Sequence, residues 1–364
     1  MSSETGLFWR RVRHRLANLI EGGKPGPGQQ SGSSASSQPR LSLLILTRSS
    51  ERLSAVLTSL AAQDSTGVSY ETIVVVNGGG PELSEAVAVM APGVRVVESS
   101  VNRGVAGGYN LGRSVATGEL IVLMHDDIEL EPGWLRAWIN AADLHPEAGV
   151  IGSKVLYPDG TLRGAGSILW SDAHSSTPWI GEAPSPETFD TPRTVDYSAS
   201  CSLLVRSQVW DACGGLNEDL YPAYYVDVDM AMSARDLGWS VLYWPQACVR
   251  HDWGGPGKER WRGFVAARSR DQFIGRWSTH LPFQHPHDGD IEGAITQAAR
   301  WRPVDRSADG VGSGPPQLTP RAVMSHSDEH YRTLELELHT DYARFLESAL
   351  EQSEQRVSES LHSQ

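Results

Sequence analysis

The apolar segment LIVLM at 120–124 is followed, after one histidine, by two adjacent carboxylates, Asp126 and Asp127. Ligands of an open parallel sheet bind at the carboxyl ends of its strands, so acids placed there face a crevice rather than the core. Adjacent side chains on an extended chain point in opposite directions, so one carboxylate can hold a divalent cation while the other turns toward a hydroxyl. Helix capping in a solvated turn is the alternative explanation of such a pair.

A second pair of acids, Asp227 and Asp229, lies at the start of a predicted helix, directly after Tyr224 and Tyr225. Helix capping alone explains one of these acids. Two acids beside two tyrosines also suit a general base that faces a hydroxylated acceptor, with the aromatic rings covering sugar faces.

Two further segments carry groups that can bind a ligand. The residues NRGVAGGYN at 102–110 open a predicted helix, and their glycines allow the backbone to approach phosphate or ribose oxygens. A tight helix entry that needs small residues explains the same pattern. His251 follows a later strand-like segment, where a neutral imidazole can bind a metal or a phosphate oxygen, or serve a structural purpose.

The elements that position these residues alternate regularly in the first half of the chain. Short, continuously apolar segments are separated by helical patterns, which predicts a parallel sheet covered on both faces. The predicted strands are 41–46, 72–76, 94–98, 120–124, 149–157, 198–205 and 240–244, and the predicted helices are 52–62, 81–90, 134–143 and 227–237. A Pro/Ser/Thr-rich stretch at 171–194 has no clear period. The expected fold class is therefore α/β, with a central, mostly parallel sheet and helices on both faces.

The ends of the chain differ in composition from this body. Residues 1–21 form a basic amphipathic pattern that suits an anionic membrane surface, with docking on the protein or a partner as the alternative. Residues 22–39 are rich in Gly, Pro, Ser and Gln and predict a flexible linker to a folded domain at 40–290. A loop-rich connector is expected at 291–327. The amphipathic pattern at 328–364 predicts a coiled-coil or docking helix, or one that packs on the body.

Composition excludes several classes of function. The 364 residues carry a formal net charge of -13, which argues against a polyanion-binding surface and thus against nucleic acid as a partner. The three cysteines, Cys201, Cys213 and Cys248, form no CxxC pair, which favours a reducing, cytosolic setting over a disulfide framework. The apolar runs fall far short of the ~20 residues that a membrane-spanning helix needs.

Taken in order, six segments resemble the family 2 glycosyltransferases of the GT-A fold, over roughly residues 41–256. Those segments are LSLLILTRS (41–49), TIVVVNGG (72–79), NRGVAGGYNLG (102–112), TGELIVLMHDDIELEPGWL (117–135), SASCSLLVRSQVWDACGGLNEDLYPAYYVDVDM (198–230) and DLGWSVLYWPQACVRHDWGG (236–255). The last two most resemble bacterial rhamnosyltransferases and galactofuranosyltransferases that build cell-wall or surface glycans. The resemblance implies the nucleotide-diphospho-sugar transferase fold of that family and a hexosyltransferase activity.

The resemblance also implies roles for single residues. Asp127 and His251 would bind Mg²⁺ or Mn²⁺ on the diphosphate of a nucleotide-sugar donor. Asp227, alone or with Asp229, would take the proton of the acceptor hydroxyl in an inverting displacement. The residues implied in donor binding are Thr47, Asn77, Asn102, Arg103, Gly104, Asn110 and Asp126.

The acceptor implied by the resemblance is a glycan or a lipid-linked glycan, which suits a cytoplasmic enzyme attached peripherally to the inner face of the cell membrane. Self-association through the C-terminal helix is a further expectation. A rival hypothesis is a catalytically inactive, glycosyltransferase-like scaffold or interaction protein. It is motivated by Val76, His125 and Val226, which stand where the family has acids.

Overall fold

The computed structural model describes residues 38–183, 189–251, 259–300, 321 and 326–362. The predictions for the basic helix at 1–21 and for nearly all of the linker at 22–39 lie outside the described residues. The strands are β1 (Leu41–Thr47), β2 (Tyr70–Asn77), β3 (Arg95–Ser99), β4 (Leu120–His125), β5 (Ile128–Leu130), β6 (Ala148–Leu156), β7 (Leu162–Gly164), β8 (Ile168–Leu169), β9 (Ser175–Ser176), β10 (Arg193–Thr194), β11 (Ser202–Arg206) and β12 (Ser240–His251).

Helices flank these strands on both faces of the sheet. They are α1 (Ser50–Ala61), α2 (Pro81–Met90), α3 (Gly104–Arg113), α4 (Trp134–Leu144), α5 (Ser207–Cys213), α6 (Val226–Asp236), α7 (Glu259–Trp277), α8 (Ile291–Ala299) and α9 (Asp328–His362), with a short 3₁₀ turn at Leu281–Phe283. Among the described residues, no helix has both the length and the apolar character that crossing a membrane requires.

The main sheet has the strand order β10–β12–β6–β11–β4–β1–β2–β3, with β5 paired to β12 and β7 paired to β6. Strands β1, β2, β3 and β4 are mutually parallel, and β6 is parallel to β12. Strand β11 runs antiparallel to both of its neighbours, β4 and β6. The long strands other than β11 therefore share one direction, which confirms the predicted mostly parallel α/β sheet.

The continuous apolar runs arise because both faces of the sheet are buried. In β1, Leu41, Leu43 and Ile45 belong to one core layer, whereas Leu44 belongs to the layer on the opposite face. Helices α1 and α4 cover the first layer, while α3, α5, α6 and the end of α7 cover the second. With both faces closed, polar side chains collect at the carboxyl ends of the strands, where Thr47, Asn77 and His251 lie.

Helices α7 and α8 were not expected. Helix α7 has 19 residues, and its buried side chains include Val265, Phe273 and Trp277. Residues 291–299, which the sequence places in a loop-rich connector, form helix α8, so the prediction is wrong at the start of that segment.

The helix expected from residue 328 is present as α9, and its first half packs on the body. Tyr331 and Leu338 are buried in a cluster with Val101, Tyr221 and Val265. This contact corresponds to the alternative in which the helix packs on the protein itself.

Candidate functional site

The turn between β4 and β5 brings an aspartate against a histidine from the end of β12. Strand β5 pairs with β12 so that His251 lies opposite Ile128, the residue that follows Asp127. His251 Nε2 consequently lies 2.9 Å from Asp127 Oδ1. The structure thus places together the two residues that the sequence suggested as metal ligands.

A third group completes this cluster. His125, the last residue of β4, has its Nδ1 atom 3.8 Å from Asp127 Oδ1, and its ring packs edge-on against that of His251. One ligand atom from each of the three residues lies within 4.8 Å of the other two. Two imidazole nitrogens and one carboxylate oxygen form a donor set that suits Mn²⁺ and other first-row divalent ions. The residues present therefore fit the cation that the fold family implies.

The electrostatics of the three groups are coupled. Burial opposes the ionisation of both partners of the Asp127–His251 pair, but their mutual attraction prevails: the pKa of His251 rises to about 9, and the pKa of Asp127 falls below its usual range. Burial and the neighbouring His251 charge lower the pKa of His125 to about 4. Near neutral pH His251 is therefore protonated and donates to Asp127. A metal ion that binds both groups must displace this proton.

Asp126 points away from this cluster. Its Oδ2 atom accepts a hydrogen bond of 2.7 Å from Thr47 Oγ1 at the end of β1. Burial raises the pKa of Asp126, although the Thr47 hydroxyl partly offsets that effect. The two adjacent aspartates thus have different partners, as expected for neighbouring side chains on an extended chain.

Asp227 lies in the first turn of α6 and faces the same cavity as Asp127. Its two carboxylate oxygens accept hydrogen bonds from the backbone N–H groups of Ser200 at 3.1 Å and Val228 at 3.0 Å. Burial raises the pKa of Asp227 in spite of these bonds. A half-buried carboxylate with a raised pKa, held by backbone donors, is suited to accept a proton.

The cavity that joins these groups has a volume of about 730 Å³. Its lining includes His125, Asp127, Tyr157, Arg163, Ser175, Thr177, Tyr197, Ser200, Cys201, Tyr224, Tyr225, Asp227, His251 and Arg262. A metal-ligating cluster and a second carboxylate therefore share one space. That space falls in the size range of pockets that hold small organic ligands.

The sequence profile of glycosyl transferase family 2 matches residues 43–211, which include the β4–β5 turn. This stretch of the chain is therefore similar to that family. The solved structure of GalNAc-T7 with UDP, GalNAc and Mn²⁺ has a TM-score of 0.54 and 12% sequence identity, over 68% of this chain and 49% of that chain. This likeness concerns the fold alone, which is that of the GT-A glycosyltransferases.

Relatives of known sequence match parts of this chain. The protein y4gI of Sinorhizobium fredii is 29% identical over 185 residues, or 47% of this chain and 20% of that protein. An N-acetylglucosaminyl-diphospho-decaprenol L-rhamnosyltransferase of Mycobacterium tuberculosis is 26% identical over 199 residues, or 48% of this chain and 64% of that protein. The matches thus extend over one fifth to less than two thirds of the relatives' own length.

Asp229, which the sequence suggested as a possible partner of Asp227 in the role of base, has different surroundings. Its side chain is fully buried and pairs with Arg276 Nε at 3.1 Å and with Arg321 Nη1 at 2.6 Å. Trp277 Nε1 donates a third contact of 2.9 Å to the same carboxylate. Asp229 is absent from the described lining of the cavity, and its contacts with two arginines and a tryptophan give it a structural role in the fold.

Four of the suggested donor-binding residues form a turn that hydrogen bonds hold in place. Asn77 donates a hydrogen bond of 2.9 Å to the backbone oxygen of Gly104 and accepts one of 2.8 Å from the backbone N–H of Arg103. Asn102 Oδ1 accepts from the backbone N–H of Gly104 at 3.1 Å. Gly104 has φ +66, which a side chain disfavours. The side chains of Asn77 and Asn102 therefore shape this turn, which begins helix α3.

The side chains of Arg103 and Asn110 have protein partners in this structure. Arg103 Nη2 lies 2.7 Å from Asp328 Oδ1 at the start of α9, and its guanidinium lies over the ring of Tyr331. Asn110 Nδ2 donates to Glu218 Oε1 at 2.7 Å. The guanidinium of Arg103, which the sequence implied in donor binding, thus forms an ion pair with the C-terminal helix in this structure.

Two groups of the site were not predicted from the sequence. His125 was considered only because it stands where the family has an acid, although it supplies a third ligand atom to the Asp127 cluster. Arg163, which follows β6 in a short paired strand, also lines the cavity. Arg163 is the middle residue of β7, and the pairing of β7 with β6 could not be inferred from the sequence.

Proposed function

We propose that this protein is a divalent-metal-dependent, inverting glycosyltransferase of family 2. It transfers a hexose, with rhamnose or galactofuranose favoured, from a nucleotide diphosphate to a cell-wall or surface-glycan acceptor. The observation that carries this proposal is the common cavity of the Asp127–His251 pair and Asp227. Metal-assisted attack by an alcohol needs a cation-binding group and a separate proton acceptor within one space.

The residues that line the cavity have separate roles in the proposed reaction. Asp127, His251 and His125 would hold Mg²⁺ or Mn²⁺. The ion would neutralise the negative charge that develops on the departing nucleoside diphosphate. Asp227 accepts the proton of the acceptor hydroxyl while that oxygen attacks the anomeric carbon of the donor sugar. Because the attack and the departure occur on opposite faces, the configuration inverts in a single displacement.

The proposed substrates rest on the cavity and on one relative. Tyr224 and Tyr225 supply aromatic surface beside Asp227, where the face of a sugar ring can pack. The relative from Mycobacterium tuberculosis is named as an L-rhamnosyltransferase of a diphospho-decaprenol-linked sugar, which supports rhamnose and a lipid-linked acceptor.

A lipid-linked acceptor also accords with the composition of the N-terminus. The arginine-rich, amphipathic pattern at 1–21 would attach the cytoplasmic enzyme to the anionic inner face of the membrane. Removal of residues 1–24 should then abolish sedimentation with phosphatidylglycerol vesicles and leave donor binding intact. Self-association through α9 is a further part of the proposal, since Leu336 and Leu350 are exposed on that helix.

The activity is tested by incubating the full chain with a panel of nucleotide-diphosphate sugars and measuring release of the nucleoside diphosphate. We expect turnover in Mn²⁺ or Mg²⁺ that EDTA abolishes and that Asp227→Asn reduces by at least ~10²-fold. A sugar nucleotide that binds the folded protein should also raise its melting temperature. If no sugar nucleotide binds or reacts in either metal, the scaffold hypothesis replaces the enzymatic one.

A further inference from the structure

A second group of metal-ligating side chains lies outside the cavity, on the turn between β8 and β9. Asp172 and His174 belong to this turn, and His287 reaches them from the segment that follows the 3₁₀ turn. One ligand atom from each residue lies within 4.8 Å of the others. All three residues are solvent-exposed, so an ion and its water ligand have access.

The ligand atoms converge on a single oxygen. His174 Nδ1 lies 2.8 Å and His287 Nδ1 lies 2.9 Å from Asp172 Oδ2. The other oxygen, Oδ1, accepts the backbone N–H of His174 at 2.9 Å, which fixes the orientation of the carboxylate. In a tetrahedral zinc site, bond lengths of about 2.0–2.2 Å separate ligand atoms by about 3.3 Å, so an opening of about 0.5 Å admits the ion.

The Nδ1 atom of His174 has two polar neighbours that it cannot serve at the same time, a carboxylate and a guanidinium. Its Nδ1 atom must donate a proton to Asp172, yet Arg270 Nη2, which can only donate, lies 3.2 Å from the same nitrogen. One imidazole nitrogen cannot donate and accept at the same time. The same Arg270 nitrogen donates to the backbone oxygen of Asp172 at 2.6 Å, a bond that can hold the turn while the Nδ1 lone pair serves another partner.

Rigid neighbours hold the third ligand in place. The ring of His287 stacks on buried Trp170, with ring centroids 5.0 Å apart and an angle of 15° between the ring planes. Ser171 donates a backbone hydrogen bond of 2.7 Å to the oxygen of His285, so the two segments are already joined beside the cluster. Support of this kind orients metal ligands and limits the entropy lost when they bind an ion.

We propose that Asp172, His174 and His287 form a Zn²⁺ site, with water as the fourth ligand. Two imidazoles and one carboxylate favour Zn²⁺ over Mg²⁺ or Ca²⁺, which prefer oxygen ligands. The site differs from the Asp127 cluster in position and does not depend on the proposed glycosyl transfer. Its role is structural, because the ion ties the β8–β9 hairpin to the segment before helix α8.

The hairpin that the ion would hold forms part of the cavity wall. Ser175 and Thr177 line the cavity, and Tyr225 Oη donates a hydrogen bond of 2.7 Å to the backbone oxygen of Ala173. Tyr225 is the residue directly before helix α6, which carries Asp227. Zinc at this turn would therefore stiffen the wall next to the carboxylate.

The test is a calorimetric titration of the untagged, EDTA-stripped full chain with ZnCl₂. We expect His287→Ala to lose one equivalent of Zn²⁺, or to weaken that site by at least ~100-fold, since loss of a supporting residue alone costs about 10- to 100-fold. The matched control is His145→Ala, which removes a histidine that likewise pairs with a neighbouring acid, Glu147, through Nδ1 at 3.0 Å. This control should keep the full stoichiometry.

Further variants separate the two clusters and guard against misfolding. Asp127→Asn, which alters only the cavity cluster, should retain the zinc equivalent that His287→Ala loses. Asp172→Asn, which keeps the side-chain shape, should lose it as well, and the visible absorption of bound Co²⁺ should fall in parallel. Equal stoichiometry and affinity in the wild type, His287→Ala and Asp172→Asn, with equal melting temperatures in EDTA, would overturn the proposal.

Discussion

His251 Nε2 lies 2.9 Å from Asp127 Oδ1, although the two residues are 124 positions apart in the chain. The contact depends on the pairing of β5 with β12, which aligns the end of one strand with the turn before the other. A ligand pair held by paired strands keeps its geometry without help from a bound ion. The site is therefore pre-organised for a cation.

The adjacent aspartates predict different effects of the same substitution. Asp127→Asn should weaken Mn²⁺ binding and reduce turnover by at least ~10²-fold, because the carboxylate that His251 contacts is lost. Asp126→Asn is the matched control, since its amide oxygen can still accept from Thr47 and the metal ligands remain. Isothermal titration with MnCl₂ measures the difference. Equal loss of Mn²⁺ affinity in both variants would show that Asp126 is a ligand too.

The pH dependence of the reaction follows from Asp227. A general base works in its ionised form, and burial raises the pKa of this carboxyl. Activity should therefore be lost, as pH falls, at a higher pH than an ordinary aspartate would give. The acidic limb of kcat/KM against pH, which reports the free enzyme, measures this shift.

Two variants show whether the ionisation of Asp227 causes this acidic limb. Asp227→Asn should remove the acidic limb together with the activity, down to a residual rate at least ~10²-fold lower. Asp211→Asn, at an exposed aspartate that pairs with Arg113, should leave the profile unchanged. An unaltered acidic limb in Asp227→Asn would assign the proton transfer to another group.

The central sheet and one half of the site were predictable from the sequence. The segments that became β1, β2 and β4 are continuously apolar, which is the pattern of strands buried on both faces. Because ligands collect at the carboxyl ends of such strands, Asp127 and His251 could be selected without knowledge of their contact.

The other half depended on contacts between distant segments. Asp227 and Asp229 are indistinguishable by spacing, and their roles separate only because Arg276 and Arg321 reach Asp229 from elsewhere in the chain. Helix α7 was missed because only a narrow stripe of its side chains is buried, and the rest are mostly charged or polar. His125 was not predicted as a metal ligand because it was considered only as the replacement of an acid, and its ring nitrogens were not weighed as ligand atoms.

Asp229 should matter for stability rather than for chemistry. Its fully buried carboxylate neutralises Arg276 and Arg321, so Asp229→Asn leaves two partly buried guanidinium groups without their counter-charge. Loss of one partner of a buried ion pair costs about 3–5 kcal/mol of the free energy of unfolding. Urea denaturation measures this loss, and the exposed pair in Asp211→Asn should cost less than about 1 kcal/mol. A large fall in kcat with unchanged stability would instead make Asp229 a part of the base.

Gly104 should be intolerant of a side chain for two separable reasons. Its φ of +66 disfavours L-residues, and a Cβ atom there would lie 2.8 Å from the backbone oxygen of Pro222. Gly133 has φ +84 but nothing within 4 Å of its Cβ position, so Gly133→Ala measures the backbone effect alone, about 1 kcal/mol. Gly104→Ala should cost a further 1–3 kcal/mol, approximately, since the overlap must displace backbone.

The overlap at Gly104 also affects the site. Val105 donates a backbone hydrogen bond of 2.7 Å to the oxygen of Pro222, so the start of α3 is joined to the segment that leads to Asp227. Displacement of Pro222 should therefore weaken donor binding in Gly104→Ala, while Gly133→Ala binds the donor as the wild type does. Urea denaturation and titration with the reactive sugar nucleotide measure the two effects. Equal losses of stability in the two variants would mean that the close approach to Pro222 is relieved at no cost.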